Sequence, residues 1–361
     1  MRVLPNGAVV ITDPDPAALE LIRAFDPSYT VRTAPLPGFV RPRLLGTRAV
    51  GGGIPASVLS EAEDRELWAA HDSAMTSQAS QGAGEASLLD LKIELATRML
   101  RRCELCALRC GVNRLEGERG RCGLGTDAFV YEAYTHIAEE PPINPALNVS
   151  LRGCGMRCVY CQQAPALDPR GTAGEALVPA FWERLDSREA RSLVFIGGNP
   201  TESLPAVLTF LRAAPAGFAL PIGWNCSGYD AVSAIRLLDG ICDVYLPDFK
   251  YGNDACATRC SEAPGYADNA RRIIHEMVQQ PVPVFVRMLV LPGHGECCHE
   301  PVLAVLAGLS ASGNLLVSIQ GTYMPEWKAL SRHGALSRRP RARDVAAVRH
   351  RAHELELSVI E

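Results

Sequence analysis

From residue 146 onward, short apolar runs of strand length alternate with stretches whose apolar positions recur at helical spacing. Asn148–Arg152, Leu193–Ile196, Pro221–Asn225, Val244–Leu246, Val282–Leu291 and Leu315–Gln320 read as strands. Thr201–Ala213, Ala231–Leu238, Asp268–Gln279, Pro301–Leu309 and Arg343–Leu355 read as helices, and Leu357–Ile360 as a short last strand. Alternation of this kind predicts an α/β fold with a parallel sheet covered by helices. Right-handed crossovers would curl that sheet into an open, partial (β/α)6 barrel of the TIM type.

The pattern upstream is less regular. Ala8–Thr12 reads as a strand, and Pro16–Phe25 as a helix with Asp15 as its N-cap. The Pro- and Gly-rich stretch Pro35–Pro55 reads as loop. Glu61–Asp72 reads as a helix with a Ser60/Glu63 capping box, and Ser77–Gly84 as a linker. Residues 1–86 therefore form an N-terminal α/β extension to which no role is assigned. Ser87 opens a helix, Leu88–Arg102, which leads into a cysteine-rich stretch. Phe129–Tyr134 is β-like, and the three prolines of Glu139–Pro145 impose an extended path. Three units result: 1–86, 87–145 and 146–361.

Composition narrows the function classes. A formal net charge of −4 offers no basic excess for neutralising phosphates, so nucleic acid is not an expected partner. No apolar run approaches the roughly 20 residues that span a bilayer, so no membrane partner is expected. The first twelve residues carry one basic residue, and Pro5, Asn6 and Gly7 break their apolar stretch, which is not the form of a secretory leader. Thirteen cysteines without such a leader point to metal or catalytic chemistry in a reducing cytoplasm rather than to disulfides.

The cysteines fall into groups. Cys154, Cys158 and Cys161 form a C-x3-C-x2-C triplet just after the first barrel strand. Three thiolates on one loop can hold three corners of a cubane cluster and leave the fourth iron open. Half of a zinc site and inert buried thiols are the rival readings, although zinc sites usually add a second cysteine pair or histidines. Cys103, Cys106, Cys110 and Cys122 form a C-x2-C-x3-C-x11-C module. Four soft ligands within so short a span suit either zinc or a complete iron–sulfur cluster. Cys297 and Cys298 stand beside His294 and Glu296, a combination suited to substrate, a radical partner or a metal. Cys226, Cys242, Cys256 and Cys260 show no pairing by spacing.

The triplet, with Tyr160 just before its third cysteine, resembles the radical S-adenosylmethionine (radical SAM) enzymes. The pieces Cys103-x2-Cys106-x3-Cys110-Gly-Val-Asn-Arg114, Cys154–Gln162, Gly197–Thr201, Tyr245–Gly252 and Leu289–Gly293 resemble the pyruvate formate-lyase activating enzyme-like branch. Within it they are most similar to uncharacterised members with a four-cysteine module ahead of the triplet, over roughly residues 87–325. The resemblance implies a [4Fe–4S] cluster whose open iron chelates SAM. It also implies reductive cleavage of SAM to a 5′-deoxyadenosyl radical, with flavodoxin or ferredoxin as electron donor. The radical would abstract hydrogen from a glycyl residue of a partner enzyme, from a small molecule or from a peptide. A non-catalytic electron carrier or zinc-bound scaffold is the alternative from another class.

SAM contacts are expected at successive strand ends. Gly197, Gly198, Asn199 and Thr201 match the family's Gly-Gly-Glu element, with Asn199 in the Glu position. Asn225 and Ser227 would meet the SAM carboxylate or ribose. Asp248 and Lys250 alternate onto one side of their strand and suit ribose hydroxyls and a carboxylate. Arg287 lies in an apolar strand and requires a carboxylate partner, from SAM or an Asp. Gln320 and Tyr323 are candidates for adenine or substrate.

Overall fold

Six parallel strands lie side by side in the order in which the chain makes them. The computed structural model describes residues 2–3, 9–10, 20, 23, 30–36, 54–76, 85–164, 174–332 and 334–360. The main sheet has eight strands: β1 (Phe129–His136), β2 (Ala146–Leu151), β3 (Glu175–Ala176), β4 (Ser192–Gly197), β5 (Ile222–Cys226), β6 (Val244–Pro247), β7 (Val284–Leu289) and β8 (Leu315–Gln320). Their spatial order is β8-β7-β6-β5-β4-β2-β1-β3. The pairs from β2 to β8 are all parallel, whereas β1 runs antiparallel to β2, and β3 antiparallel to β1. The β-like run at 129–134 thus joins the sheet as an antiparallel neighbour of its first parallel strand. At the far edge Val317 makes a parallel bridge to Val359, which seats the expected last strand against β8.

Helices follow the strands, and their apolar positions face the sheet. They are α4 (Leu204–Arg212), α5 (Val232–Leu238), α7 (Tyr266–Val278), α8 (Glu300–Leu309) and α9 (Ala342–Glu354), with α6 (Asp254–Ser261) as an additional helix after β6. Period-two alternation sorts the strand residues. Tyr245 packs into the large core with the helices, whereas Val244 and Leu246 join Ala146, Val194 and Phe285 in a small cluster that contains no helix residue. Along that second face the next positions toward the C-terminal strand ends are polar: Asn148, Asn225, Arg287 and Ser318. An apolar base under a polar layer therefore gathers the polar side chains toward those ends.

Upstream, three helices are described: α1 (Ala56–Glu61), α2 (Asp64–Thr76) and α3 (Leu88–Arg98). The single helix expected over 61–72 is instead two helices broken at Ala62, whose backbone is extended (φ −70°, ψ 151°). The Ser60/Glu63 capping box is therefore not what starts a helix here. Arg98 fixes the break. Its guanidinium donates to Leu59 O (2.9 Å) and Ala62 O (2.6 Å) and pairs with Asp64 (3.0 Å). The α3 helix opens with a Ser87/Asp90 capping box and stops four residues short of the expected Arg102. Val9–Val10 pairs antiparallel with Arg2–Val3. The expected helix 16–25 and loop 35–55 fall almost wholly outside the described residues, and linker 77–84 wholly so.

Asp243, between α5 and β6, gives the fold a pH dependence. Burial pushes its carboxyl up to about 7, against one hydrogen bond from Ile222 N (2.7 Å). A carboxyl whose folded pKa is raised stays protonated in the folded chain after it has ionised in the unfolded one. Its contribution to stability therefore falls between about pH 4 and pH 7. Asp243→Asn keeps the acceptor and removes the charge. It is expected to raise stability at pH 8 by on the order of 3 kcal/mol and to change little at pH 4. Urea midpoints at the two pH values check this.

Candidate metal centre

The triplet occupies the loop that leaves β2. Two glycines let the loop lie against the end of β4. A Cβ on Gly198 would sit 1.9 Å from Gly153 O, and Gly198 N and Asn199 N donate to Leu151 O (2.7 Å) and Gly153 O (2.9 Å). Gly153 itself has φ +84°, where side chains are disfavoured. On the other side the loop pairs with the end of α6: Arg157 N donates to Ser261 O and Val159 N to Cys260 O, each at 2.8 Å. The Arg157 side chain adds bonds to Cys154 O, Met156 O and Arg121 O. The cysteines are thus positioned by backbone hydrogen bonds on both flanks.

Cys154 is buried, and Cys158 and Cys161 are half-buried. Burial pushes all three thiols up, Cys161 to about 12, and each is raised further by at least one of the other two or by a nearby carboxylate. Lys250 opposes this at Cys158 and Cys161. Ser261 Oγ donates to Cys158 Sγ (3.0 Å). It is also bonded to Tyr251 Oη (2.6 Å), which in turn meets Tyr160 Oη (2.6 Å). Buried thiols that repel one another's ionisation are the donor set a cationic iron centre would relieve, because a metal deprotonates the thiols that bind it. On that test the triplet fits a cluster.

The four-cysteine module packs directly on this loop. Leu105–Ala107 lies antiparallel to Tyr229–Ala231 after β5, through Ala107 N to Tyr229 O (3.0 Å) and Ala231 N to Leu105 O (3.1 Å). Gly155 stands so near Cys106 that a Cβ on it would lie 3.6 Å from that sulfur. Cys103, Cys106 and Cys122 are buried and Cys110 is exposed, with Cys110 Sγ over Gly120, where a Cβ would be 2.7 Å away. Burial, then Glu202, pushes Cys122 to about 12 and Cys106 higher.

Two residues to which the sequence assigned no role connect the cysteine groups. Glu202 is buried, and its carboxylate raises Cys106, Cys122 and Cys154 alike. Its Oε1 accepts from Gly155 N (2.9 Å), and burial pushes its own pKa up to about 7. Arg114, buried in the module, donates to Gly125 O (2.9 Å) and Glu202 O (2.8 Å) and lies 3.8 Å from Cys103 Sγ. Glu202 follows Thr201 in the glycine-rich element, so its position was in view, but its partners are distant in sequence.

The other expected contacts divide. Asp248 and Lys250 form an ion pair, and Lys250 lies close enough to Cys158 to be affected by its charge. Ser227 is buried near them, its Oγ accepting from Tyr229 N (3.3 Å). Asn199 and Thr201 are committed within the protein. Asn199 bonds Asp230 (2.9 Å) and Ser227 N (3.1 Å), and Thr201 Oγ1 accepts from Trp224 Nε1 (3.0 Å). Gly198 admits the backbone of the triplet loop at Gly153, and Gly197 admits the end of β2 at Ser150 and Leu151.

Arg287 requires a correction: its carboxylate partners are Glu139 and Glu140, not an Asp. The guanidinium bonds Glu140 (2.9 Å and 2.5 Å), Glu139 and Asn225 Oδ1 (3.1 Å). Glu140 also accepts from Ser318 (2.7 Å) and Gln320 (3.2 Å). Tyr323 donates to Leu336 O (2.6 Å) and stacks edge-on against Tyr160.

Fold and site together define a mixed α/β chain whose first parallel strand ends in a cysteine-bearing loop, with a second cysteine group packed on it. The chain belongs to the family of the uncharacterized protein MJ0674 of Methanocaldococcus jannaschii. The two are 31% identical over 254 residues, covering 67% of this chain and 72% of that protein. No family model matches the sequence. Among solved structures, Streptococcus suis SuiB bound to S-adenosylmethionine overlaps 57% of this chain and 47% of its own, at TM-score 0.40 and 9% identity. TsrM from Kitasatospora setae, a radical S-adenosylmethionine methyltransferase with cobalamin and a [4Fe–4S] cluster bound, overlaps 48% and 36%, at TM-score 0.32 and 11% identity. The chain spans less than half the length of either structure, and overlaps this partial carry no functional argument. Among the described residues no helix is long and apolar enough to cross a membrane.

Proposed function

We propose that this chain is a radical SAM enzyme built on a partial (β/α)6 barrel, with its reaction centre at the triplet. The observation that carries this reading is the placement of Cys154, Cys158 and Cys161. All three lie on one loop at the C-terminal end of the first of six parallel strands, where barrel sites form. With those thiolates holding a [4Fe–4S] cluster, bound SAM would supply a 5′-deoxyadenosyl radical after one-electron reduction, from a donor of the flavodoxin or ferredoxin kind.

The chain's own residues have separable tasks in this account. Lys250 presents an ammonium beside the thiols and can hold a carboxylate, while Asp248 can accept from hydroxyls. The Arg287–Glu139–Glu140 group braces β5, β7 and β8 from within. Glu202 and Arg114 tie the four-cysteine module to the triplet, which supports that module as a second metal site for zinc or an iron–sulfur cluster. A substrate would approach from the strand ends, either as a glycyl residue of a partner enzyme or as a small molecule or peptide.

The reading is tested on protein reconstituted anaerobically with iron and sulfide. The paramagnetic spectrum of the reduced triplet cluster is expected to change when SAM is added, and that SAM-responsive signal to be missing from a Cys158→Ala chain. A cluster spectrum indifferent to SAM would contradict it. Zinc and iron contents of Cys106→Ala beside wild type assign the module's metal.

A further inference from the structure

A third group of thiols lies apart from both the triplet and the module. Cys297 and Cys298 sit on a π-helical turn, Gly295–His299, in the loop after β7, and Cys256 sits in the first turn of α6. Cys297 Sγ is 3.8 Å from Cys256 Sγ and 3.9 Å from Cys298 Sγ, and all three sulfurs lie within 4.8 Å of one another. Among the described residues this is the one group of three potential ligand atoms gathered so tightly. Thiolates around a tetrahedral zinc ion, at Zn–S of about 2.3 Å, lie about 3.8 Å apart. The spacing is that of a single ion rather than of a multi-iron cluster.

The two segments, 41 residues apart, are built to meet. Asn253 caps α6 through Cys256 N (2.9 Å), and its amide also reaches Cys297 O and Cys298 Sγ (3.6 Å). Gly252 lets the loop seat, since a Cβ there would lie 2.6 Å from Cys298 O. Arg259 Nη2 lies 3.3 Å from Cys256 Sγ. One guanidinium and one divalent cation balance three thiolates.

We propose that Cys256, Cys297 and Cys298 form a metal site for a thiophilic divalent ion of the zinc class, with its fourth position open to water beside the exposed Cys297. Binding releases the three thiol protons to solvent and forms three metal–sulfur bonds, with no change of oxidation state. The ion would join the loop after β7 to α6, whose last residues, Cys260 and Ser261, hold the triplet loop. The site would thus stiffen one wall of the triplet. It does not depend on what the triplet binds.

The test uses the full chain, reduced and anaerobic, without cluster reconstitution and without SAM, titrated with zinc against a chromophoric chelator. Wild type is expected to take up one more zinc ion per chain than Cys297→Ser, or to hold that ion at least 100-fold more tightly. The far-UV circular dichroism of the two chains is expected to match, because Cys297 is exposed. Cys298→Ala is expected to lose the same ion, and Cys297→Ser keeps the test sound if that buried substitution unfolds the chain. Equal zinc stoichiometry and affinity in wild type and Cys297→Ser would overturn the proposal. So would a Cys256–Cys297 disulfide whose reduction brings no zinc uptake.

Discussion

An Arg287→Met chain is expected to lose about 3–5 kcal/mol of stability, because it leaves two buried carboxylates without their cation. Glu139 and Glu140 are almost wholly buried, and both pair with this one guanidinium. Burial alone would raise Glu139. Arg287, His136 and Asn148 outweigh it and hold the carboxyl well below the ordinary range. Met fills comparable volume, so the loss reports charge rather than a cavity. Adding Glu139→Gln and Glu140→Gln to the Arg287→Met chain is expected to recover much of the loss. Urea unfolding of the single and triple variants measures both. A single variant within 1 kcal/mol of wild type would show that the group is not the brace described above.

Gly198→Ala is the second large effect. Its methyl group would sit 1.9 Å from Gly153 O and 2.6 Å from Gly153 C, atoms of backbone that cannot swing aside. Either β4 parts from the triplet loop or the loop moves outward, at a cost of about 3 kcal/mol or more. The expected outcome is a chain with wild-type far-UV circular dichroism, a lowered thermal midpoint and little iron at the triplet after reconstitution. Full iron incorporation with an unchanged midpoint would contradict the close approach.

Periodic features were legible in the sequence. Apolar alternation produced six parallel strands in chain order, because a strand buried on both faces carries its own signal. The triplet and the module declared themselves through short spacings. Features whose partners are distant in sequence did not. Nothing local marks Glu202 as the neighbour of Cys106, Cys122 and Cys154, and Arg287 needed a carboxylate without indicating which. Glu139 and Glu140 lay in a proline-rich segment whose extended path was expected, while its course along the polar face was not. Cys256 showed no partner by spacing, and the topology brings it to Cys297. Helix α6 was missed because its eight residues, Asp254–Ser261, bury cysteines, alanine and serine rather than a stripe of large apolar side chains.

The triplet is the claim on which the proposed function depends, and turnover tests it most directly. Anaerobically reconstituted wild-type protein, given SAM and dithionite, is expected to form 5′-deoxyadenosine, while Cys158→Ala forms none. A wild-type chain that carries a full triplet cluster and never forms 5′-deoxyadenosine would contradict the account.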